Sequence, residues 1–286
     1  MKSLAWLLLC LAGGSLAAGA ELKKDIEYGT AEGVSLRLDA SAPDGPGPFP
    51  VAILVHGGGW STGDKGGSNK AGNSADISPW FDTLNKANFT WFSINYREAP
   101  AHPWPAMLDD VQTAIRWVKA HAVEYKGDPK RIVLFGHSSG GHVAAYAAMI
   151  GQGDTAVQAF VGFAPVSDLK LDATARGSIG YGLMGLFHIT NDMSDKSLAL
   201  LADASPVNHI SASSPPTLLV HGDADRSVRY PQSVAFKAKL EAAGVPVKLI
   251  TVKGAPHSFF AWEKLGDTAY KDEMIAWINA TLGPAR

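Results

Sequence analysis

Between residues 49 and 252 the chain carries six short runs that are apolar almost without interruption: FPVAILV, FTWFSI, RIVLF, AFVGF, TLLV and VKLITV. A strand with one face in water alternates apolar and polar residues, whereas these runs offer apolar side chains to both faces. They are also too short for buried helices. Longer stretches with helical spacing separate them, such as AMLDDVQTAIRWVKAHAVEY, with Met107, Val111, Ala114, Ile115 and Val118 on one face and a stop at Gly127-Asp128-Pro129. That alternation predicts an α/β fold: a mostly parallel central sheet flanked by helices. Two opening strands, DIEYGT and SLRLDAS, turn at Gly33. A short helix is expected near SPWFDTLNKAN, and others at PQSVAFKAKLEAA and TAYKDEMIAWINATL.

The 286 residues suit one core. No repeat or linker divides them, and PDGPGPFP reads as a loop, so residues 21–286 are expected to form a single domain. The formal charge is −2, with no run of Lys or Arg, which excludes a phosphate-backbone partner and so nucleic acid. The first twenty residues, MKSLAWLLLCLAGGSLAAGA, have one cation, an apolar stretch and small residues at the end. This is the layout of a secretory signal cleaved after Ala20, too short for stable membrane insertion, and it predicts a periplasmic or secreted product. The one cysteine, Cys10, lies inside that segment, so the exported chain is expected to have no disulfide.

RIVLF runs directly into GHSSGG and then into HVAAYAAM. A Gly-x-Ser-x-Gly sequence between strand and helix turns the chain so sharply that the serine is held exposed at the tip, with strained backbone. Ser138 occupies that tip. A Cβ at Gly136 or Gly140 would collide with a neighbouring element, and Ser139 would serve through its backbone N–H rather than its hydroxyl. A nucleophilic serine needs a base, and the base an orienting acid, in the order Ser, Asp or Glu, His. His142 lies one turn into the helix, His188 and His209 fall in a stretch without strand context, and His221 comes too early to follow an acid. His257, in KGAPHSF beyond the last strand, remains as the base. HGDADRSV offers two acids, Asp223 and Asp225. Upstream, HGGGW at 56–60 supplies glycines whose amides can approach a developing oxyanion.

These segments, HGGGWSTGDK, NYREAPAHPWPAMLDD, GHSSGGHVA, HGDADRSV and APHSF, resemble the HGGG-type carboxylesterases of the α/β-hydrolase fold. The group includes hormone-sensitive-lipase-like enzymes, and the chain is more similar to the bacterial feruloyl and acetyl esterase-like branch. The resemblance implies Asp225 as the acid and the amides of Gly58, Gly59 and Ser139 as the oxyanion hole. It implies hydrolysis of short-chain or aromatic carboxylic esters, small molecules or esterified polysaccharide, through an acyl-enzyme. No metal or organic cofactor is implied. Trp60, after the oxyanion loop, and Trp104, in AHPWPA, are candidate substrate-binding residues. Two departures stand out. Only about thirty residues separate Glu21 from the first central strand, where the lipase-like enzymes carry a helical cap, and His137 stands where they tend to have Asp. Residues 169–214 are the one stretch with room for a lid. The alternatives are an amidase or arylformamidase on the same fold and, in a different class, a non-catalytic binding protein.

Overall fold

A computed structural model describes residues 21–67, 77–265 and 268–284; the expected leader at 1–20 lies outside the described residues. Glu21–Ala31 (β1) and Val34–Ala42 (β2) form the opening antiparallel hairpin, turning at Gly33 with φ +79°. The continuous apolar runs become β3 (Phe49–Val55), β4 (Thr90–Ile94), β5 (Gly127–His137), β6 (Ala159–Phe163), β7 (Thr217–Gly222) and β8 (Val247–Val252). They lie in the order β1-β2-β4-β3-β5-β6-β7-β8. β2 is antiparallel to β4, and from β4 onward every pairing is parallel.

Helices cover both faces. In chain order they are α1 (Phe81–Lys86), α2 (Ala106–His121), α3 (Ser138–Ile150), α4 (Leu169–Arg176), α5 (Tyr181–Phe187), α6 (Asp195–Asp203), α7 (Pro231–Ala242), α8 (Phe259–Lys264) and α9 (Ala269–Leu282). β3 shows why the runs had to be apolar throughout. Val51, Ile53 and Val55 join the core with Val111 and Ile115 of α2 and Val143 of α3, while Ala52 and Leu54 join a second core with Trp80 and with Met274 and Ile278 of α9. Every one of these β3 residues is fully buried. Each large side chain contributes about 1.5–3 kcal/mol by leaving water, and neither face could be polar without losing one layer.

β5 starts earlier than the apolar run suggests, at Gly127 rather than Arg131. Gly127 pairs with Phe49, and the register then shifts before Val51 meets Ile132. Pro129, which has no N–H to give a ladder, sits inside that irregular stretch. The parallel strands place their carboxyl ends together, where an open α/β sheet offers a crevice for ligands.

Candidate active site

The turn from β5 into α3 puts Ser138 at the carboxyl edge of the sheet. Its φ of +55° lies in the left-handed region that a residue with a Cβ rarely adopts. The neighbouring glycines allow the turn. A Cβ on Gly140 would lie 2.1 Å from the His56 carbonyl oxygen, and one on Gly136 would lie 2.5 Å from that of Gly140. Both obstacles are backbone, so nothing can swing aside. Ser139 follows in the first turn of α3, where helix N–H groups have no partner inside the helix and the dipole favours negative charge.

His257 and Asp225 reach the serine from two later strands. His257 Nε2 lies 2.9 Å from Ser138 Oγ, and its Nδ1 lies 2.6 Å from Asp225 Oδ2. A carboxylate only accepts, so Nδ1 carries the hydrogen and Nε2 is free to accept from the serine hydroxyl. Asp225 Oδ1 takes the N–H groups of Ser227, at 2.8 Å, and Val228, at 3.0 Å. Burial by itself would raise this carboxyl, but hydrogen bonds from His221 and His257 outweigh it and hold Asp225 well below the usual carboxylate range. Asp223, two residues earlier, faces away and accepts the N–H of Gly254 at 2.6 Å. Between the two acids of HGDADRSV, the geometry joins Asp225 to His257.

Two further histidines crowd the cluster. His137 is fully buried; it stacks on His257 with ring centroids 4.8 Å apart and lies tilted against Phe259 at 4.2 Å. Its ring nitrogens have no hydrogen-bond partner among the described residues, and burial pushes it well below the ordinary histidine range, so it packs as a neutral ring. His221 sits at the end of β7, with Nε2 3.3 Å from Asp225 Oδ2. The residue pattern marks neither ring as part of the site.

A cavity of ≈ 260 Å³ opens beside Ser138, lined among others by Gly59, Trp60, Ser139, Gly182, Leu183 and Val228. Gly59 and Ser139 therefore face the same space as the serine. Gly58 does not line it. Its φ of +117° and the 1.7 Å that would separate a Cβ from the Thr62 oxygen make it the residue that lets the loop turn, and its carbonyl accepts from Ser61 and Thr62 N–H. Trp60 is buried and donates from Nε1 to His142 Nδ1 at 3.2 Å. His142 is fully buried; its Nε2 donates to the Ala204 carbonyl at 2.8 Å, and burial pushes it down to about 4. Trp104 is not among the cavity-lining residues. It packs against His142, Tyr146 and Phe187 and so supports the wall from behind.

The 169–214 stretch, which holds α4, α5 and α6, supplies one wall through Asp172, Arg176, Gly180, Gly182 and Leu183. Arg176 spans from that wall to the other: Nε donates to Asp172 at 2.8 Å and Nη2 to the Ser227 carbonyl at 2.6 Å. On the far side, the NYREAPAHPWPAMLDD segment is fixed by a buried ion pair. Arg97 donates to the Asp110 carboxylate from Nε and Nη2 and from its backbone N–H, and Nη1 reaches Glu32. A larger cleft of ≈ 810 Å³ lies at the opposite end of the strands, among Pro48, Lys126 and Arg131, and holds none of the candidate site residues. Among the described residues no group of three or more His, Cys, Asp or Glu has the arrangement of a metal site, and no helix is long and apolar enough to cross a membrane.

The family model described as BD-FAE matches residues 38–240. "Probable carboxylic ester hydrolase LipM" of Mycobacterium tuberculosis is 33% identical over 246 residues, which cover 82% of this chain and 54% of that protein. Esterase LipQ of the same organism is 32% identical over 248 residues, covering 82% of this chain and 56% of its own. The chain thus spans about half the length of the curated relatives it matches. Among solved structures, a truncated carbohydrate esterase from gut microbiota superimposes with a TM-score of 0.75 at 25% identity, over 94% of this chain and 99% of that one. With a match that runs from β2 into α7 and so takes in the elbow and the Asp225 loop, the chain belongs to the BD-FAE family and has the α/β-hydrolase fold.

Proposed function

We propose that the protein is an exported serine carboxylesterase that hydrolyses short-chain or aromatic carboxylic esters through an acyl-enzyme. The observation that carries this reading is the chain of contacts from Asp225 Oδ2 through His257 to Ser138 Oγ, 2.6 Å and 2.9 Å, opening onto a small cavity. In this reading His257 Nε2 takes the proton as Ser138 Oγ attacks the ester carbonyl. Asp225 keeps the proton on Nδ1 and favours the imidazolium that forms. The oxyanion is received by the amides of Gly59 and Ser139, with Gly58 forming the turn that presents Gly59. His257 then protonates the leaving alcohol, and water repeats the sequence on the acyl group.

The names of its relatives, esterases and a carbohydrate esterase, support the same reaction class. The cavity supports the substrate class. At ≈ 260 Å³ it is below the usual range for drug-sized ligands, about 300–1,000 Å³, and Trp60, Leu183 and Val228 give it apolar walls. An acetyl or butyryl group, or a flat hydroxycinnamoyl group against Trp60, suits such a space better than a fatty chain does. Residues 169–214 act in this reading as the lid-side wall. The test is kcat/KM across a p-nitrophenyl acyl series, with methyl ferulate and acetylated xylan, for the wild type and Ser138→Ala. A maximum at four carbons or fewer, or on the ferulate, is expected. A maximum at about twelve carbons would overturn the substrate reading, and an active Ser138→Ala would overturn the mechanism.

A further inference from the structure

His221 is fully buried at the end of β7, with three oxygen atoms around its ring. Nε2 lies 2.9 Å from the Val228 carbonyl oxygen and 3.3 Å from Asp225 Oδ2. A carbonyl and a carboxylate only accept, so Nε2 must carry a hydrogen. Nδ1 lies 2.7 Å from Ser233 Oγ, a hydroxyl able to donate to it. The Nε2 hydrogen goes to the Val228 carbonyl, and the Asp225 oxygen that faces His257 lies 3.3 Å from the same nitrogen.

We infer that His221 is a positioning residue for the reaction: its Nε2–H, set beside Oδ2, orients the Asp225 carboxylate towards His257 and draws charge from it. This rests on the triad proposed above. Asp225 Oδ1 is already committed to two backbone N–H groups, so Oδ2 alone serves His257, and His221 Nε2 is the other nitrogen beside it, at 3.3 Å. The low position of the Asp225 carboxyl agrees, since the hydrogen bond from His221 is the foremost influence opposing its burial. Without that donor, Oδ2 would turn more freely and concentrate its charge on the His257 N–H. Turnover should fall, and His257 should hold its proton to higher pH. The titratable groups facing this cluster are Asp225, His257, His137 stacked on His257, and Tyr230, edge-on to His221 at 5.6 Å.

The test compares His221→Gln, His221→Asn and His221→Leu on p-nitrophenyl acetate, with Ser138→Ala as the control for the triad itself. Gln places its amide nitrogen near the position of Nε2 and can donate to Asp225; Asn places it near Nδ1 and cannot. We expect Asn and Leu to lower kcat about 10- to 100-fold, the worth of a hydrogen bond to a charged group, with KM little changed. The acid limb of the pH profile should move to higher pH in both. Gln should restore most of kcat and the wild-type limb, a rescue that a purely structural role would not give. If Leu does not fold, Gln against Asn decides the matter. Equal kcat and equal acid limbs for Gln and Asn would overturn the inference. If Ser138→Ala stays active, the triad reading fails instead, whatever the His221 variants do.

Discussion

The turn after β5 and the turn after β7 both leave parallel strands at the same edge of the sheet, and each presents one member of the proposed triad. They are built by different means. Around Ser138 the backbone is set by exclusion: Gly136 and Gly140 are there because carbonyl oxygens stand 2.5 Å and 2.1 Å from where their Cβ atoms would be. Around Asp225 it is set by attraction, with two backbone N–H groups and two histidines converging on one carboxylate. The first turn tolerates no added atom. The second should tolerate atoms but not the loss of a donor or a charge.

The largest effect should come from the tip of the first turn. Ser138→Ala removes the proposed nucleophile without touching core packing, and kcat/KM should fall by about 10⁴-fold or more with Tm unchanged. Next is the acid. Asp225→Asn keeps the shape but can reverse the His257 tautomer, and a loss of about 10³–10⁴-fold in kcat is expected. Asp223→Asn should change kcat little, because that carboxylate only receives the Gly254 N–H. Equal damage from both would break the distinction between the two acids.

Gly140→Ala tests exclusion at the first turn directly. Displacing the His56 carbonyl should cost about 1–3 kcal/mol, seen as a Tm lower by roughly 3–10 °C, together with most of the activity. A variant as stable as the wild type would show that the elbow can relax. Ser139→Ala should keep most of the activity, since only its amide is used.

The smallest effect is thermodynamic. The folded-state pKa of Asp225 is depressed, so its contribution to stability is full above the usual carboxylate range near 3.8 and is lost as pH falls through the lower folded value. The Tm difference between wild type and Asp225→Asn should therefore stay constant from neutral pH down to about 4 and shrink below that. His142 works in the opposite part of the scale. With its folded value pushed down to about 4 against an ordinary 6.5, it is neutral in the fold and charged in the unfolded chain between those limits. Acidification across that window should destabilise the wild type, by about 1 kcal/mol per pH unit from this group, and His142→Gln should flatten the slope.

The contrast between the two turns also explains what could be read in advance. A turn made by exclusion leaves glycines at fixed spacing between an apolar strand and a helix, so Ser138 is visible in GHSSGG. A turn made by hydrogen bonds leaves ordinary residues. HGDADRSV offers two aspartates that differ in space by which amides they meet, and only the family resemblance favoured Asp225 before the geometry joined it to His257. His221 and His137 were invisible as site residues, because a histidine at a strand end has many uses; the role of His137 depends on His257, far along the chain, and that of His221 on how the Asp225 turn folds back onto its ring. Trp104 illustrates the reverse: its segment lies near the site, yet its ring packs behind the wall with Tyr146. The sheet was legible for the same reason as the elbow, since a strand buried on both faces must be apolar throughout, while the early start of β5 at Gly127 depended on pairing with Phe49.

Ser138 is proposed as the nucleophile, activated by His257. A fluorophosphonate forms a stable adduct only with an activated serine, so peptide mass spectrometry after labelling tests it in one measurement. A stoichiometric mass tag on Ser138 is expected, one that vanishes in His257→Ala while that variant stays folded. A tag on any other residue, or equal labelling of Ser138 without His257, would contradict it.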